Sequence, residues 1–165
     1  MDLGRIWRHL TALPMQTRRC FPTATLSAIE SAIHAVEQRH AGEVRFAVET
    51  SLDLRALRHG MAPRERALEV FGSLRVWDTA RNNGVLIYLL MADRDVEIVA
   101  DRGIAERVPA AQWEAVCRAM EAHFRSGRWR EGAIEGIEGV GRLLAEHFPN
   151  EGGDRNEQPD RPVLL

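Results

Sequence analysis

Gly84-Val85-Leu86-Ile87-Tyr88-Leu89-Leu90-Met91-Ala92-Asp93-Arg94-Asp95-Val96-Glu97-Ile98-Val99-Ala100 is the stretch on which the fold turns. Val85 to Met91 is apolar at every position. A run of this length, bounded by glycine before it and acidic turn residues after it, reads as a central strand covered on both faces. Asp93-Arg94-Asp95 reads as a tight turn. Val96, Ile98 and Ala100 alternate with Glu97 and Val99 as the antiparallel return, nearer an edge.

Working outward toward the N-terminus, a helix begins at Pro63 and turns Ala67, Leu68, Phe71 and Leu74 inward. Val44, Phe46, Ala47 and Val48 read as a shorter strand before it. Two strands flanking a helix are expected to be parallel, joined by a right-handed crossover. Pro22 and Thr23 open an earlier helix with Leu26, Ile29, Ile33 and Val36 on one face. Ser27 and Glu30 offer it a capping box, and Gly42 stops it. Toward the C-terminus, Pro109 starts a helix with an inner stripe of Trp113, Val116, Cys117, Met120 and Phe124, and Ser126-Gly127 breaks it. A last helix carries Ile134, Ile137, Val140, Leu144 and Phe148. Its Gly132, Gly136, Gly139 and Gly141 predict close packing on a neighbour. The order predicts an α/β domain over residues 22–148, a small mixed β-sheet with helices on both faces.

Two flanking pieces remain. Residues 1–21 are basic, and Ile6, Trp7, Leu10 and Leu13 can share one helical face. That face is expected to cover an apolar patch of its own domain; the alternative is an anionic membrane surface. Residues 149–161 read as a flexible acidic tail. Its apolar end, Pro162-Val163-Leu164-Leu165, either frays or docks on a partner or on the domain itself.

Composition removes several function classes. Every basic side chain is Arg, which excludes Schiff-base lysine chemistry and a lysine-based phosphate loop. Net charge is −2, and no basic stripe is interleaved with aromatics, so nucleic acid is not an expected partner. Cys20 and Cys117 lack metal-pair spacing and suit a reducing compartment. No apolar run approaches the length of a spanning helix or a signal peptide, so a cytoplasmic location is expected.

Such a sheet has two rims. One, where the parallel strands end, collects Glu49, Ser51, Asp53, Asp93 and Asp95. The other collects Asp78, Asn82, Asn83 and Gly84 before the central strand, with Asp101, Arg102 and Gly103 after the hairpin. Carboxylate and amide oxygens are hard donors for Ca²⁺ or Mg²⁺. This rim is the candidate metal site, with Asp78, Asn82, Asn83 and Asp101 as ligands. Gly84 and Gly103 would let backbone approach a ligand. The same residues also suit an ordinary turn before a strand.

Trp77 to Ile87 resembles the central motif of the TPM-domain family. Asp93 to Ile98 resembles its hairpin, Asp101-Arg102-Gly103-Ile104 its turn after the hairpin, and Gly127 to Gly132 the turn before its last helix. The resemblance spans roughly residues 22–148 and implies the same α/β sandwich. Within the family, plant members are associated with acid phosphatase activity and repair of a photosynthetic complex. Some bacterial members look like Ca²⁺ binders without clear catalysis, and many others carry a signal peptide and a membrane anchor. Asn82 stands where an Asp is frequent, Asp101 where Gly is usual, and Arg102 where an aromatic is common. The expected function is a non-catalytic binding module for a divalent cation, acting with a protein partner that is membrane-associated. The alternative is a metal-dependent acid phosphatase in which Asp78 or Asp101 serves as base or nucleophile and Arg102 holds the phosphoryl oxygens.

Overall fold

The computed structural model describes residues 2–150, 152 and 156–165. Among these the chain forms, in order, α1 (Leu3–Thr11), α2 (Pro14–Cys20), α3 (Thr23–Glu37), β1 (Glu43–Glu49), α4 (Leu54–Arg58), α5 (Pro63–Ser73), β2 (Gly84–Leu90), β3 (Asp95–Ala100), α6 (Arg102–Ala105), α7 (Ala110–Arg125), α8 (Trp129–His147) and β4 (Val163–Leu164). The strands lie side by side as β3-β2-β1-β4. β1 and β2 run parallel, with Phe46 opposite Ile87. β3 returns antiparallel, with Ile98 opposite the same Ile87.

β2 is buried along its whole length, so its alternate residues feed two cores. Val85, Ile87 and Leu89 join Phe46, Ile33, Met120 and Ile137 on the face covered by α3, α7 and α8. Leu86, Tyr88 and Leu90 join Ala47, Ala67 and Val70 on the face covered by α5. Each fully buried side chain of this size contributes about 1.5–3 kcal/mol of transfer free energy. The glycines of α8 let it lie close against α7 and α3. A Cβ at Gly136 would fall 2.1 Å from Met120 Sδ, and one at Gly141 2.7 Å from Val36 Cβ.

Two local expectations are corrected. Ser27 lies inside α3, whose N-cap is Pro22, so Ser27 and Glu30 form no capping box. Leu68 is exposed, and Val70 takes the inward place beside Ala67.

The N-terminal segment docks by its polar side. His9 is buried; its Nδ1 accepts the Leu52 N–H at 3.0 Å, and its Nε2 lies 3.1 Å from Asp93 Oδ2. Arg5 Nε donates to the same Asp93 oxygen at 2.9 Å. Ile6 joins the second core, but Trp7 and Leu10 are 68% and 57% exposed. The apolar face therefore covers the domain only through Ile6, while Trp7, Leu10 and Leu13 stay exposed. The sheet rim presents a carboxylate and a free backbone N–H, and these are matched by Arg5 and His9.

Part of the expected flexible tail, residues 151 and 153–155, lies outside the described residues. Residues 156–165 run along the outer side of β1. Val163 pairs parallel with Ala47, and the Leu165 N–H donates to the Val48 carbonyl at 2.8 Å. The Gln158 N–H donates to Glu43 Oε2 at 3.0 Å, and the Arg45 guanidinium donates to the Pro159 carbonyl.

Glu37 lies under this strap and accepts the Val44 N–H at 2.8 Å. Burial, reinforced by Glu43 and Asp160, pushes its carboxyl from 4.5 up to about 8. The native state therefore keeps a proton that the unfolded chain releases. The resulting stability is fully present below about pH 4.5 and is lost as pH rises through about 8. Glu37→Gln is expected to flatten the fall in urea midpoint between pH 5 and 8. Parallel declines in the two proteins would show that another group is responsible.

Candidate functional site

The rim at the start of β2 is made by the loop from Leu74 to Asn83 folding onto α6. Arg75 and Asn82 take left-handed backbone, with φ of 55° and 52°. Thr79 Oγ1 accepts the Asn83 N–H at 3.0 Å. Asn82 O accepts the Gly103 N–H at 3.1 Å, and Gly84 O accepts the Asp101 N–H at 2.8 Å. Gly103 and Gly84 are required here because backbone passes directly over them. A Cβ would stand 2.7 Å from Asn82 O in one case and 1.9 Å from Val76 O in the other. The close approach anticipated at these glycines is thus made by the protein's own backbone.

Of the four expected metal ligands, Asn83 and Asp101 are buried, 3% and 8% exposed, whereas Asp78 and Asn82 face solvent. Asn83 Nδ2 donates to the Ala41 carbonyl, while Oδ1 is buried without a hydrogen-bond partner. Asp101 caps α6, its Oδ1 accepting the Arg102 N–H at 2.7 Å, and its Oδ2 is likewise buried and unpartnered. Arg102 is exposed, and its tie to Asp101 is that backbone cap.

Beside Asn83 is a cavity of about 280 Å³, bordered also by Arg81, Gly103, Arg107, His147 and Phe148; Asp101 does not line it. The Arg107 guanidinium stacks over the Phe148 ring, 4.8 Å from its centroid. His40, next in sequence to Ala41, is buried, its Nδ1 accepting the Gly42 N–H at 3.2 Å and its Nε2 unpartnered. Burial lowers His40 to about 4, so its imidazole is neutral and, with Nδ1 accepting, carries its proton on Nε2. Arg81, Arg107, His40 and His147 were not singled out from the sequence. They come from four separate segments, and only the fold assembles them.

Two buried, unpartnered oxygens fit a hard cation in donor type. Two protein ligands are few, and Arg81 and Arg107 oppose a bare positive charge. Among the described residues, no group of three or more His, Cys, Asp or Glu side chains is placed to hold a metal.

The TPM domain profile matches residues 16–143. The chain belongs to the TPM domain family. Its structure is similar to that of the BA42 protein from the psychrophilic bacterium Bizionia argentinensis, with a TM-score of 0.74 and 30% identity over 86% of this chain and 93% of that one. The N-terminal domain of a P. gingivalis protein shares the fold, with a TM-score of 0.60 and 24% identity over 79% of this chain and 82% of that one. No curated protein matches. In this TPM domain α1 and the β4 tail lie outside the matched region. Among the described residues, no helix is long and apolar enough to cross a membrane.

Proposed function

We propose that this TPM domain is a non-catalytic binding module that takes a divalent cation, Ca²⁺ before Mg²⁺, at the Asn83–Asp101 rim. The observation that carries this reading is the pair of buried oxygens, Asn83 Oδ1 and Asp101 Oδ2, that lack partners. Several buried side-chain atoms lack a hydrogen-bond partner; these two are hard oxygen donors that share one rim, the type a Ca²⁺ ion selects. Ca²⁺ tolerates irregular oxygen sets completed by water, whereas Mg²⁺ demands a near-ideal octahedron. With so few protein ligands the affinity falls in the weak range, on the order of 10⁻⁴ to 10⁻³ M. Arg81 and Arg107 suit an anionic group of the partner that completes the ion's shell.

The test is thermal unfolding of chelator-treated protein with and without Ca²⁺ or Mg²⁺. At about 100 times the dissociation constant, binding to the folded state adds about 2.7 kcal/mol. A Ca²⁺-induced rise in melting temperature is expected. It should vanish in Asp101→Ser, which keeps a cap oxygen for α6 but removes Oδ2. An absent shift with both ions, or an unchanged shift in Asp101→Ser, would exclude the site.

A further inference from the structure

We infer that the opposite rim, where the parallel strands end, carries a second binding site for a small aromatic anion, a ring bearing a carboxylate or phosphate. α1 and α2 roof the ends of β1 and β2 and leave a cavity of about 730 Å³. That volume suits a small organic molecule, and this end of an open α/β sheet is where ligands characteristically bind. Thr50 and Met91 line it from the strand ends, Arg8 and Gln16 from the roof, and Arg94 and Trp129 from the sides.

Charge sets the class of ligand. Among the described residues, the one carboxylate lining the cavity is Asp93, and it is already engaged by Arg5 at 2.9 Å and by His9 at 3.1 Å. Arg8 reaches it at 3.4 Å with half its side chain exposed. Arg94 forms no ion pair among the described residues. It sits at the hairpin tip with φ of 52°, a conformation that costs a non-glycine residue free energy. Burial pushes the Cys20 thiol up and the Arg94 guanidinium pulls it back, so the Arg94 charge acts across this cavity. Arg94 is thus available to an anion, and Arg8 can join it by leaving its 3.4 Å contact with Asp93.

The aromatic part follows from Trp129. Its ring stacks on Phe124 at 5.1 Å and 19°, and lies 6.0 Å from Phe21. Held this way, it presents a fixed apolar wall. Thr17 of α2 and Thr50 after β1 are joined by a hydrogen bond between their hydroxyls at 2.9 Å, which ties the roof to the strand end. A ring can lie against Trp129 and gain apolar contact there, which an inorganic anion cannot. Arg8 and α1 lie outside the matched TPM region, whereas Gln16, Thr17 and Cys20 of α2 lie within it, so only the α1 part of the roof is added to the matched domain.

The full chain, labelled with ¹⁵N, is titrated with benzoate, phenyl phosphate, inorganic phosphate and neutral benzyl alcohol, and amide and indole shifts are recorded. Benzoate or phenyl phosphate is expected to move the Thr50, Ala92 and Arg94 amides and the Trp129 indole. Which of the two binds more tightly identifies the anionic group. Arg94→Gly relieves the backbone while removing the guanidinium, and should weaken binding about tenfold. Asp101→Ser should bind as the wild type does, which separates this site from the cation rim. The inference is overturned if neither aromatic anion moves these signals, if benzyl alcohol or inorganic phosphate binds equally, or if Arg94→Gly binds unchanged.

Discussion

Gly84→Ala is expected to lower stability by about 3 kcal/mol or more, or to leave no folded protein. The new Cβ would lie 1.9 Å from Val76 O and 2.9 Å from Val76 C. Both are backbone atoms of a fully buried residue, so no side chain can swing aside. Relief requires moving either the loop that forms the rim or the first residue of β2, which is hydrogen-bonded to Asp101 and paired with Glu43. For a chain of this size, about 3 kcal/mol corresponds to a fall of roughly 6–12 °C in melting temperature. Gly72→Ala is the control. A Cβ at this position in α5 would meet no atom within 4 Å, and alanine there should stabilise by about 0.5–1 kcal/mol. A Gly84→Ala protein melting within a degree or two of wild type would show that the loop is not fixed as described.

Arg66→Ala is the second large effect. The Glu49 carboxylate is nearly buried at the end of β1 and accepts Arg66 Nε at 2.9 Å, Arg66 Nη2 at 3.0 Å and the Tyr88 hydroxyl at 2.7 Å. Burial and the Glu49 carboxylate both push the Tyr88 phenol far up, so it stays a donor at any ordinary pH. Removing the guanidinium leaves a buried carboxylate with a single neutral donor. Breaking a fully buried pair costs about 3–5 kcal/mol; Arg66 is about a third exposed, so about 2–3 kcal/mol is expected. Thermal melts decide it: an Arg66→Ala protein melting within a degree or two of wild type would mean that the pair does not carry the effect.

The central fold was legible because its signals were local. Seven apolar residues after Gly84, a turn of Asp93-Arg94-Asp95 and an alternating return specify β2 and β3. Helical spacing marked the inner stripes of α3, α7 and α8. Short elements were not legible. α4 and α6 span five and four residues, too few to show a period, and β4 exists only because β1 offers it an edge. The N-terminal face was only partly legible for a related reason. Its apolar pattern was visible, but Asp93 and the Leu52 N–H, which draw the polar side inward, lie far along the chain.

The candidate site divides in the same way. Asn83 and Asp101 were recognised as oxygen donors by residue type, and Asp78 and Asn82 shared that type without sharing their burial. Arg81, Arg107 and His147 border the same cavity from distant segments, and no spacing in the sequence announces that.

The strap of residues 156–165 bears on solubility. Without it, β1 would present an open row of backbone donors and acceptors beside Val44, Phe46 and Val48, a template on which a strand from another molecule can assemble. Two paired residues and the Arg45 contact to the Pro159 carbonyl occupy that row. At the other margin, β3 carries Asp95 and Glu97, and Arg64 reaches over to Glu97 at 3.3 Å. One margin is thus guarded by charge and the other by the chain's own last residues, so the sheet resists fibrous self-assembly without being closed into a barrel.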